Sequence, residues 1–184
     1  MAKKVLTIPE IQDLIAALRE TYIFRDTLVK KYAIAKSIKR PQTPDALSET
    51  IALILIQRGE ILTELNIQSA RRGNNNEPDI LATTADGDMP IEVKGTNETG
   101  FQNFVLKDLK APYIVWVHFN AAFLKGLSDE IEVFVIEKPG LYLTITPPND
   151  SIRLFMKQLP SLITPQYLKH YSFSLKNFCE DIQP

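Results

Sequence analysis

The run Tyr-Ile-Val-Trp-Val-His-Phe at 113–119 constrains the fold more than any other segment of this chain. A strand with one solvent-exposed face alternates apolar and polar residues, but this run is almost wholly apolar. Such a strand has to be covered on both faces. The run therefore predicts a central strand between two layers, with His118 as a core or rim histidine whose hydrogen bonds are satisfied.

The rest of the chain divides into helical and strand-like stretches. Apolar residues at helical spacing predict one long helix or two shorter ones over 8–36. An apolar-rich helix is expected over 45–58, where either Thr43 or Asp45 can cap its start. The strands predicted by alternation or β-rich composition are 61–68, 80–84, 90–95 and 131–136, with 141–145 as either a strand or an irregular edge. Residues 150–184 are predicted to be mostly helical.

Composition excludes several classes of protein. The 184 residues carry 21 basic and 22 acidic side chains, which excludes a pervasively basic coat for nucleic acid. Cys179 is the single cysteine, so an intrachain disulfide and a cysteine-rich zinc site are both excluded. The longest strongly apolar run, 51–56, is far too short to span a membrane. We expect a cytoplasmic protein.

Two carboxylates and one lysine carry the chemistry. Asp86-Gly87 predicts a tight hairpin turn, because Asp-Gly supplies the backbone conformation that such turns need. That hairpin brings Asp79 roughly opposite Glu92 or Lys94, and strand alternation places Glu92 and Lys94 on one face. Two close carboxylates repel each other unless a cation lies between them, and Mg²⁺ suits an oxygen-rich site. The cluster predicts metal-assisted hydrolysis of a phosphodiester.

This hairpin resembles the PD-(D/E)XK nuclease superfamily, which contains type II restriction endonucleases and several repair and recombination nucleases. The resemblance implies that Asp79 and Glu92 bind Mg²⁺, for which Mn²⁺ can substitute. It also implies that the Val93 carbonyl completes the metal shell and that Lys94 acts in catalysis. Glu49 takes the place of the acidic residue that many relatives carry on the preceding helix.

The resemblance covers about residues 45–136, the expected nuclease core of a single domain. It implies a restriction-endonuclease-like α/β sandwich, in which a central mixed sheet is flanked by helices. Residues 1–44 form an N-terminal helical extension in this interpretation, and 137–184 form a mostly helical C-terminal part. A second acidic-x-Lys triplet, Asp108-Leu109-Lys110, is expected to be a solvated connection.

Duplex DNA is the favoured partner, since nucleases of this architecture usually act on it. Cutting both strands calls for two copies of the chain, so a homodimer is expected. Residues 25–40 carry six basic side chains against Asp26, a local charge of +5 that suits either a phosphate backbone or an ordinary solvated helix face. The candidate DNA contacts are Lys30, Lys31, Lys36 and Lys39 in this stretch, with Arg71, Arg72 and Asn75 before the hairpin.

Two alternatives stay open. The chain is either a nuclease or a non-catalytic DNA-binding or assembly protein that keeps the same fold. A nuclease of this kind cuts either duplex DNA or another substrate, such as RNA or a recombination junction, and the sequence does not separate these.

Overall fold

The computed structural model describes residues 4–146 and 148–176, which form a mixed α/β structure. Its helices and strands are α1 (Ile8–Lys31), α2 (Asp45–Gln57), β1 (Ser69–Arg72), β2 (Ile80–Thr84), β3 (Gly87–Glu98), β4 (Phe101–Val105), α3 (Leu106–Lys110), β5 (Tyr113–Asn120), α4 (Ala121–Leu124), β6 (Glu130–Glu137), β7 (Ser151–Phe155), α5 (Leu159–Leu162) and β8 (Leu168–Ser174). None of the helices in these residues is long and apolar enough to cross a membrane.

Six strands form a central mixed sheet in the order β1-β2-β3-β5-β6-β8. β3 and β5 are parallel, and every other neighbouring pair is antiparallel. β4 and β7 form a separate two-stranded antiparallel sheet. The expected mixed sheet between helices is therefore confirmed at the level of an α/β architecture.

Each face of the central sheet has its own apolar core. The helical face, which α1 and α2 cover, includes Ile91, Val93 and Val115. The second face includes Ile114 and Trp116 and is covered by residues of β4, α3 and β7. The predicted central strand is confirmed as β5, whose first seven residues are all buried. His118 is 5% exposed and contacts the Thr96 hydroxyl, as expected of a core histidine.

The N-terminal helices follow their local signals. Thr7 directly precedes α1, and the Glu10 carboxylate stabilises this start of the helix by accepting a hydrogen bond from the Thr7 backbone N–H at 2.9 Å. The helix ends at Lys31, and a 3₁₀ turn (Ala33–Ser37) follows, so the 8–36 stretch holds one long helix and a short turn. α2 starts after Pro44, and neither Thr43 nor Asp45 caps it with a side chain.

The strand predicted over 61–68 is wrong. Leu62 and Asn66 adopt positive φ values of 56° and 47°, which are incompatible with a strand. A 3₁₀ turn (Thr63–Leu65) lies between them, and β1 begins only at Ser69. Arg71 and Arg72 consequently belong to a strand and not to the predicted polar loop.

The mostly helical C-terminal part is also wrong over the described residues. β7 and β8 lie there, and β8 pairs with β6 as the sixth strand of the sheet. In β8, Tyr171 and Phe173 pack into the helical-face core, whereas Leu168 packs into the other core. The stretch 141–145 contains no strand. Phe178 and Cys179 lie outside the described residues.

Candidate active site

The hairpin of β2 and β3 brings the predicted carboxylates together. Ile80 pairs with Ile91 in this antiparallel pair, so Asp79 stands opposite Glu92 one step further along. Residues directly opposite each other in an antiparallel pair share a face. The Asp79 Oδ2 atom also accepts the Val93 backbone N–H at 3.0 Å, which fixes its carboxylate against β3.

Strand alternation in β3 places the core residues on one face and the candidate catalytic residues on the other, as the sequence predicts. Ile91 and Val93 pack into the helical-face core. Glu92 and Lys94 point to the second face, where they pair in register with Ile114 and Trp116 of β5. Glu92 is only 4% exposed, so its carboxylate is held within the protein.

The short helix α3 supplies two further charged residues to this site. The Lys94 Nζ atom lies 2.7 Å from Asp108 Oδ1, and Lys107 Nζ lies 3.0 Å from Glu92 Oε1. Asp108 is 2% exposed, and its Oδ2 atom accepts the Val105 N–H at 2.8 Å. Its expected place in a solvated connection is therefore wrong, because α3 folds back over β3 and buries it.

Burial dominates the electrostatics of Glu92. Desolvation raises the pKa of its carboxyl above the ordinary value, and the neighbouring charge of Asp79 adds to that effect. The Lys107 ammonium opposes it by donating to the ionised form. Lys107 is 61% exposed, so this stabilising cation reaches the buried Glu92 carboxylate from the solvent.

Glu49 and Arg72 lie on the other side of the sheet. Arg72 pairs with Ile80, so its side chain is on the helical face, where its Nε donates to Glu49 at 3.0 Å. Its guanidinium also donates to the Lys4 carbonyl. The structure therefore does not bring Glu49 beside Glu92, and Arg72 is a buried ion-pair partner instead of a surface contact for DNA.

Arg71 remains at the surface, in a paired state. Its guanidinium donates to both oxygens of Glu77, at 2.8 and 3.0 Å. This pairing and the Asn74 N–H lower the pKa of Glu77 to about 2. The loop before Asp79 is thus held by an ion pair, and Asn75 at its tip is exposed.

The basic stretch 25–40 is exposed, but it is not one helical face. Lys30 pairs with Asp26 at 2.8 Å, and the Lys31 ammonium lies 5.3 Å from the ring centre of Tyr32. Lys36 and Lys39 follow the end of α1 and form no ion pair with any described residue.

Comparisons with known proteins leave the site unassigned. No protein-family model matches the chain, and no curated protein matches it. Within residues 4–146 and 148–176, no three His, Cys, Asp or Glu side chains are grouped as a metal site by themselves. A function for this chain therefore has to be inferred from its own geometry.

Proposed function

We propose that this chain is a metal-dependent nuclease that hydrolyses DNA phosphodiester bonds, on a restriction-endonuclease-like fold of the PD-(D/E)XK type. The observation that carries the proposal is the placement of Asp79, Glu92 and Lys94 on one face of one hairpin. A buried carboxylate, a second carboxylate opposite it and an ammonium two residues away are the groups that this reaction needs.

The residues present fit a hard divalent cation. Asp79 and Glu92 would hold Mg²⁺, or Mn²⁺ in its place, because both carboxylates face the same side at this point of the hairpin. The Val93 carbonyl is a third candidate ligand. Its N–H points to Asp79, and the N–H and C=O of one strand residue leave the same edge. The bound ion would polarise a phosphate oxygen and lower the pKa of a coordinated water.

Lys94 is the residue that we assign to the reaction itself. Its ammonium either orients the attacking water or stabilises the charge that grows on the phosphate. Asp108 fixes the position of that ammonium through their ion pair, and Asp108 itself is buried, with only 2% exposed. Lys107 would act differently, because it neutralises Glu92 in the metal-free protein and has to give way when a cation binds.

Duplex DNA is the substrate that we propose, with the exposed basic stretch 25–40 as the surface that contacts phosphates. Lys36 and Lys39 are the best placed for this contact, since neither pairs with a described carboxylate. Each chain carries one candidate active site, so cutting both strands would use two copies related by a two-fold axis.

One observation favours a second candidate, a non-catalytic DNA-binding or assembly protein. Both Glu92 and Lys94 already pair with charges on α3, as they would in a purely structural cluster. Plasmid DNA incubated with Mg²⁺, Mn²⁺ or EDTA separates the two candidates. We expect cleavage with either metal and none with EDTA, whereas DNA binding without any cleavage would favour the second candidate.

Matched variants identify the site in the same assay. Lys94→Ala should lower the single-turnover rate at least ~10²-fold, the low end of a general acid–base contribution. Glu92→Gln should abolish Mg²⁺-dependent cleavage, because it removes a charged metal ligand. Glu137→Gln and Lys169→Ala, which change ion-paired residues elsewhere, should cut normally. Full cleavage by Glu92→Gln would refute the assignment. Cleavage of RNA or of a four-way junction in place of plasmid would assign the other substrate class.

A further inference from the structure

A cleft begins one residue beyond Lys94. Its floor is the end of β3 from Gly95 to Asn97, and its walls are the 39–45 segment and the start of β4. The volume is about 530 Å³, within the range of about 300–1,000 Å³ typical of small-ligand sites. The cleft is therefore large enough for one nucleotide and not merely for a water molecule.

One wall contains a buried hydroxyl group without a hydrogen-bond partner. Thr43 is 9% exposed, and its buried Oγ1 atom has no hydrogen-bond partner. The hydroxyl does not cap α2, although it precedes that helix by two residues. Leaving a buried hydroxyl unpaired costs about 1–3 kcal/mol, so its retention is readily explained if the side chain turns towards the cleft and a ligand supplies the missing partner.

The opposite wall combines an aromatic ring with amides. Phe101 is 39% exposed, and it lines the cleft together with Gln102 and Asn103. An exposed ring offers a surface on which any base can stack, and neighbouring amides suit the hydrogen-bonding edge of a base. The Phe101 ring also contacts Phe155, at 5.2 Å between ring centres, which lies outside the lining of the cleft.

Two cations stand at the 39–45 wall. Arg40 pairs with Glu98 at 2.8 Å, whereas Lys39 forms no ion pair with the described residues. A lysine in this state suits a phosphate group, which it binds as a point charge.

From this lining we infer that the cleft binds one unstacked nucleotide of the substrate strand next to the scissile phosphate. Its base lies on Phe101, its edge meets Thr43 and the amides, and its phosphate meets Lys39. The inference rests on the proposed nuclease function, because Gly95, which lines the cleft, follows Lys94 directly in β3.

The test compares two fluorescent DNA duplexes, one fully paired and one with a single unpaired base, in Ca²⁺ under conditions without cleavage. The wild-type protein should bind the unpaired form more tightly, since the cost of unstacking that base is already reduced. Phe101→Leu should lose this preference. Its affinity for the duplex with the unpaired base should fall by about 5- to 150-fold if the whole stacking contribution is lost. Phe155→Leu, which alters the same ring pair from outside the cleft, should keep it.

Thr43→Val separates a ligand site from a packing role. This substitution removes the hydroxyl at nearly constant volume, so it should raise the unfolding midpoint while weakening binding of the unpaired duplex several-fold. Equal preference in wild type, Thr43→Val and Phe101→Leu overturns the inference, and so does an equal loss in Phe155→Leu. Hydrolysis of the same duplexes in Mg²⁺ tests the nuclease function separately, because the binding preference does not depend on cleavage.

Discussion

The ion pair between Lys94 and Asp108 should contribute measurably to stability. Removing one partner of a buried pair costs about 3–5 kcal/mol, and the 18% exposure of the Lys94 side chain reduces this value. Asp108→Asn keeps an oxygen for the Val105 N–H and loses the charge, so we expect a loss of about 2 kcal/mol. For a chain of this size that corresponds to a fall of about 4–8 °C in the unfolding midpoint.

A double-mutant cycle with Lys94→Met measures the pair directly. Lys94→Met alone leaves a buried, uncompensated carboxylate and should cost at least as much as Asp108→Asn. The double variant retains neither charge, so its loss in urea unfolding should fall short of the sum by about 1–2 kcal/mol. The exposed pair Glu137–Lys138 is the control and should show no measurable coupling. Additive losses at Lys94 and Asp108, within about 0.5 kcal/mol, would refute the reasoning.

Three further predictions follow from the same geometry. Glu92→Gln should raise the unfolding midpoint of the metal-free protein at pH 7 and not at pH 4. Burial raises the Glu92 pKa, so its stabilising protonated state is lost as the pH rises through that value, and calorimetry at both pH values checks the difference. Lys36→Ala should lower the slope of log K for DNA against log salt by about 0.9, whereas Lys169→Ala should leave it unchanged. Gly73→Ala should cost at least about 1–3 kcal/mol and displace Asp79, because the added Cβ would lie 1.9 Å from the Pro78 carbonyl oxygen, and a normal midpoint would contradict this close approach.

Local signals predicted the parts of the fold that local physics determines. The hairpin that Asp86-Gly87 predicts and the apolar run of β5 need no distant partner to be recognised. β5 is present as expected, and the hairpin forms with its turn one residue earlier, at Ala85 and Asp86, so that Gly87 pairs with Thr84. β8 was missed because its alternation spans only a few residues and includes His170, whose ring stacks on Phe134 at 4.2 Å between centres. No pattern in the chain marks that contact.

The candidate active site also combines features that local patterns predict with contacts that depend on distant residues. Asp79, Glu92 and Lys94 share a face because hairpin pairing and strand alternation are regular, so the sequence was sufficient. Asp108 reaches Lys94 only because β4 and α3 fold back over β3, which depends on packing of the second core. The one available clue was an acidic residue next to a lysine in a stretch with no clear secondary structure.

The pairing of β2 with β3 also limits where this chain can gain or lose residues. Ile80 packs into the helical-face core, so a one-residue slip of β2 would turn it away from that core and carry Asp79 to the opposite face. Extra residues at the tip, around Gly87, leave that register intact because the tip is exposed. Insertions in related chains that keep the chemistry should therefore collect at this tip, and an inserted residue between Asp79 and Thr84 should coincide with loss of the acidic pair.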